Sequence, residues 1–195
     1  MPRTRAFPVT VAVVVTELVM ALAGAEISFE AMQHDYSYRG TTGLLLRSFG
    51  APLAAPWHSL AWQYAGPSLV LGLVIYLLLL GITTAVLTGA LHGPRSTAAL
   101  FIGIWGLTTL SLAVAETVRL LLAGGEQARA AAGEQTTLYA FSYGPAMIHH
   151  AVYYGWIPAI IGTVTGSISA HWAAARQLRR SDLAHTAAIP TRPIA

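Results

Sequence analysis

The chain has 195 residues, 55% of them hydrophobic and only 10% charged, with a formal net charge of +3. Soluble domains carry about 25% charged residues, so this composition suits lipid better than water. It has no cysteine, which excludes disulfides, thiolate catalysis, iron–sulfur clusters and Cys-type zinc sites. Lysine is absent as well, so all eleven basic residues are arginines, a bias toward GC-rich codons that points to a high-GC bacterium.

Four apolar stretches run at about 7–25, 67–91, 98–122 and 147–172. Each matches the roughly 20 helical residues needed to cross a hydrocarbon core of about 30 Å. The sequence therefore predicts an all-α integral membrane protein. Its single domain, 1–180, holds four transmembrane helices in an up-down bundle, followed by a disordered cytoplasmic tail at 181–195. Arg3, Arg5, Arg95, Arg176, Arg179, Arg180 and Arg192 collect on one side of these stretches. Arginine excess marks the cytoplasmic face, which puts both termini inside and the protein in the plasma membrane. No nucleic-acid footprint is read into these charges.

The first stretch follows the basic Met1–Arg5 segment and ends at Ala23-Gly24-Ala25, as a secretory leader does. Glu17 in its middle and a run of about 19 residues favour a retained span over a cleaved leader. Helix formers continue past the membrane from Glu26 to Asp35, and Gly40 to Gly43 end the helix. Residues 44–66 then form one large outer loop, broken by Pro52 and Pro56 but rich in Leu, Phe and Trp. Such a loop lies partly in the interface, with Trp57, Trp62 and Tyr64 at headgroup level. A tight turn at 92–97 makes spans two and three antiparallel neighbours, and Tyr139, Phe141 and Tyr143 close the third connection.

Ionisable residues within spans are functional candidates, because a charge at the bilayer centre costs about 2.5–3.5 kcal/mol on insertion scales. Glu17, Glu116 and Arg119 qualify. Glu116 and Arg119 are three apart on one helical face, which predicts an ion pair; an anion or headgroup clamp is the sharper alternative. Glu17 has only Met20 and Ala21 at the same-helix positions. It must be held neutral or meet a polar group on another helix, with Thr83, Thr84, Thr163, Thr165 and Ser167 on offer.

A second group sits at the outer face. Glu26, Glu30 and His34 stack at four-residue spacing, and His149, His150, Tyr153 and Tyr154 open the fourth span on the same side. Carboxylate plus imidazole suits a transition metal or proton transfer. Glu30, His34, His149 and His150 are the metal candidates, although the Glu-x-x-His signature of dimetal bundles is missing. Solvated helix ends are the plainer reading. Gly162 and Gly166 make a small-xxx-small motif for close helix packing within the bundle or between subunits. Pro158 is expected to kink the fourth span and free the carbonyl of Tyr154.

No cofactor follows from these residues. The expected partners are the lipid bilayer and a protein subunit or second copy. Three functions fit: an accessory or assembly subunit of a larger membrane complex, which is favoured; a small oligomeric transporter or channel using Glu17, Glu116 and Arg119; or a membrane enzyme acting on a lipid, quinone or polycyclic metabolite through the outer Glu/His/Tyr group.

Overall fold

A computed structural model describes residues 3–34, 45, 48–49, 60–91, 96–130 and 149–187. These residues are all helical or in short connections, with no strand among them. Four long helices account for most of them: α1 (Arg3–His34), α2 (Leu60–Ala90), α3 (Ser96–Ala130) and α4 (Trp156–Ala187). α1 does carry on beyond the first apolar stretch. α3 likewise runs through Gly124 and Gly125 into the alanine-rich piece that follows.

The helices form a ring. α1 packs on α2, α2 on α3, α3 on α4, and α4 closes back onto α1, with no diagonal pair among the described residues. Facing residues run in opposite directions: Gly72 meets Arg119 while Gly103 meets Leu87, and Gly162 meets Val9 and Val13 while Gly166 meets Arg5. Each helix is therefore antiparallel to its neighbours.

Buried residues recur every three or four positions: Val9, Val13, Glu17, Ala21 and Ala25 on α1; Leu73, Tyr76, Leu80, Thr84 and Thr88 on α2. α3 repeats the pattern with Leu100, Ile104, Thr108, Leu112 and Ala115. The opposite faces expose large aliphatic residues, including Val15, Leu78, Ile82, Val86, Ile102 and Val164. Large aliphatic side chains outside, with Glu17, Thr84, Thr88 and Thr108 among the buried residues inside, fit a lipid surround.

Three helical segments are long and apolar enough to cross a membrane: 5–27, 69–90 and 96–119. The fourth apolar stretch differs from expectation because it is broken. Its residues 149–154 are helical, Gly155 sits in a turn, and α4 starts only at Trp156. What remains is diluted by Gly162, Thr163, Thr165, Gly166, Ser167 and Ser169. Beside the break the Ala151 oxygen accepts from the Gly155 N–H at 3.1 Å and from the Trp105 indole N–H at 2.9 Å. Pro158 then falls in the first turn of α4, where no N–H is required.

The far end of α4 corrects the expected tail. The helix continues through Ala187, since the residues after Trp172 are strong helix formers with no Gly or Pro until Pro190. Residues 188–195 lie outside the described residues, as do most of the outer loop and Tyr139, Phe141 and Tyr143.

Candidate functional site

The ring brings one polar side chain from each quarter to a common level. Glu17 comes from α1, Tyr76 from α2, Thr108 from α3 and His150 from the short helical stretch before α4. Glu17 and His150 are both 0% exposed, and their Oε2 and Nε2 atoms are 3.4 Å apart. That is longer than an optimal hydrogen bond. His150 Nδ1 donates to the Ser48 backbone carbonyl at 2.8 Å. The Tyr76 hydroxyl reaches toward the Glu17 carboxylate and the Thr108 hydroxyl but closes a hydrogen bond of normal geometry with neither. Glu17 Oε1 is also buried and without a partner.

This geometry constrains the protons. A carbonyl only accepts, so Nδ1 of His150 carries hydrogen and the neutral ring has a bare Nε2 toward Glu17. Either Glu17 is a carboxylic acid donating to Nε2, or a carboxylate faces an imidazolium. Both forms hold one proton between two residues and carry no net charge. A second proton, or none, leaves an uncompensated charge in a sealed site, which is costly.

The threonines offered as partners for Glu17 do not reach it. Gly81 faces Thr10 and Val14 of α1, which sets Thr83 and Thr84 well below the Glu17 level. Thr83 instead donates to the Leu79 carbonyl at 2.7 Å. The partner is His150, a residue the spacing argument had assigned to the outer face.

Within the outer group, His150 lies against Glu17 and keeps the Tyr154 ring at 5.8 Å, while His149 stacks on Tyr153 at 5.7 Å. Tyr154 donates to the Leu45 carbonyl at 3.1 Å and packs on Phe49 at 5.0 Å. Glu26 is half-buried, Glu30 is exposed, and the His34 side chain lies outside the described residues. Among the described residues no three His, Asp or Glu side chains gather closely enough to hold a metal.

Glu116 and Arg119 form the ion pair that their spacing implies. Arg119 Nε donates to Oε2 at 2.6 Å and Nη2 to Oε1 at 2.5 Å, a two-pronged contact with side chains only 8% and 11% exposed. Gly72 makes room for it: a Cβ there would stand 2.8 Å from Arg119 Cδ. Gly162 and Gly166 work within the bundle, where a Cβ on Gly162 would meet Val13 Cγ2 at 2.6 Å and Ile104 Cδ1 at 2.7 Å.

Tyr76 and Thr108 escaped the sequence reading. Tyr76 stands alone among apolar residues in the middle of α2, and its isolation was the available signal. Comparison with protein-family models, curated proteins and solved structures gives no match, so these residues alone carry the functional reading.

Proposed function

We infer that the chain is a four-span protein of the cell membrane with both termini cytoplasmic, and that Glu17–His150 is the proton-exchanging centre of a small proton-coupled carrier. One observation carries this reading: the Glu17 carboxyl group and the His150 imidazole, both fully sealed, face each other at 3.4 Å while Glu17 Oε1 stays unpartnered. Ionisable groups inside a membrane bundle are rare, pair with one another, and mark ion pathways and proton relays.

The test uses proteoliposomes with a trapped pH dye, an imposed pH step, and a small-molecule extract of the expressing cells as solute source. Wild type equilibrates at least tenfold faster than Glu17→Gln, which keeps the shape but cannot exchange the proton. Equal rates, with both proteins folded, reject the carrier.

A second reading, an accessory subunit of a larger membrane complex, is favoured by the far end of α4. Residues 170–181 are all exposed, with Trp172 at 63% and Leu178 at 66% beside Arg176, Arg179 and Arg180. A lone helix of this length is marginal in water, so a partner or a second copy would cover it. A stoichiometric companion in mild detergent, lost when 171–195 is deleted but kept by Glu17→Gln, selects that reading.

A further inference from the structure

Serine and threonine within helices normally hide the hydroxyl on the carbonyl one turn back. Thr16, Thr83, Thr88, Thr108, Thr109 and Ser167 do so here. Thr10, Thr84 and Thr163 do not: their hydroxyl oxygens are sealed from solvent and have no partner. The three exceptions come from three different helices.

They also share a level. Gly81 faces Thr10, and Gly162 faces Val9 and Val13, so Thr84 and Thr163 each stand within about one turn of Thr10 along the bundle. Thr10 itself lies seven residues before Glu17, about 10 Å lower at 1.5 Å per residue. About 7 Å lower again, Arg5 lies against Gly166 with its Nε sealed and unpartnered. At the top stand Glu17 Oε1 and the Tyr76 hydroxyl. Among the described residues one more unpartnered buried atom, His149 Nδ1, belongs to the stretch before α4. The unmet polar atoms thus descend in steps from the proton-sharing pair to the N-terminal end of α1.

Buried polar atoms without a protein partner are the atoms that internal water serves. Between the steps lie Val9, Val13, Leu80, Leu100 and Ile104, all 1% exposed or less. These apolar side chains separate the polar steps, so water that joins them must part them.

We propose that Thr10, Thr84 and Thr163 line an intermittently hydrated proton route joining Glu17–His150 to the N-terminal end of α1, with water as the guest. The route rests on the one-proton reading of the pair. An arriving proton binds Glu17 Oε1, and the shared proton completes the His150 imidazolium; departure along the same water chain reverses both transfers. The Arg5 charge at the mouth slows entry without closing it.

The experiment follows isotope exchange at Glu17 by infrared difference spectroscopy after transfer of the full chain, in nanodiscs, to heavy water. The band is assigned by its loss in Glu17→Gln. Thr10→Val with Thr84→Val keeps the volume and removes the hydroxyls, and it slows exchange at least tenfold. Thr10→Ser with Thr84→Ser exchanges at the wild-type rate. Thr163→Val alone slows exchange about threefold and serves if the double variant does not fold. Exchange at the wild-type rate in the valine variants overturns the route and leaves the pair standing. If Glu17→Gln removes neither a carboxylic-acid band nor an imidazolium band that shifts in heavy water, the one-proton reading fails and the route falls with it.

Discussion

Gly162 offers a measurement of how tightly α1, α3 and α4 are joined. An added Cβ would stand 2.6 Å from Val13 Cγ2 and 2.7 Å from Ile104 Cδ1, where ordinary contact begins at 3.4 Å. Both neighbours must retreat by about 0.7–0.8 Å, yet both are fully buried, and Val13 has essentially one rotamer in a helix. Overpacking of this kind costs about 1–3 kcal/mol. Any helical Gly→Ala change also gains about 1 kcal/mol of helix propensity, which would blur the result on its own. Gly106 supplies the reference, because a Cβ there meets nothing within 4 Å. The difference in unfolding free energy between Gly162→Ala and Gly106→Ala cancels the propensity and leaves the steric cost, about 1–3 kcal/mol. Reversible unfolding in mixed micelles, followed by circular dichroism, reads it directly. Two variants agreeing within about 0.5 kcal/mol, the usual spread of an unstrained surface change, would show that the α1–α3–α4 junction is not close-packed.

Two further outcomes follow from the polar contacts. Arg119→Leu leaves Glu116 buried without its counter-charge and destabilises the bundle by about 3 kcal/mol. Glu116→Leu with Arg119→Leu recovers to within about 1 kcal/mol of wild type in the same unfolding assay. Trp105→Phe removes one of the two donors on the Ala151 carbonyl and costs about 1 kcal/mol. Its clearer signature is local: amide exchange across 149–154 accelerates, while that of α1 and α2 stays unchanged.

The parts of this molecule that depend on one helix at a time were legible in the sequence. The Glu116–Arg119 pair follows from three-residue spacing, the α1 extension from its helix formers, and the Gly162/Gly166 face from residue size. Glu17 stood out because no same-helix position offers it a partner. What spacing along a chain does not carry is relative depth between helices. His149 and His150 are adjacent in sequence, yet they face different neighbours once the stretch 149–154 is set off from α4 by the turn at Gly155. Placing His150 against Glu17 required the antiparallel register, which is set by contacts such as Gly162 on Val13. The end of α4 was misjudged for a different reason: an arginine-rich, polar segment looked like tail, although Ala, Leu, Gln and Arg all favour helix.

The closure of the ring has a bearing on biogenesis. Glu17 and its imidazole partner are separated by 133 positions. At about 5–20 residues per second of synthesis, the nascent α1 waits on the order of ten seconds before its partner emerges from the ribosome. Until then a bare acid sits in the membrane or in the insertion machinery. The last segment to arrive both seals the α1–α4 seam and covers that acid, which a chain truncated before residue 150 leaves without its imidazole.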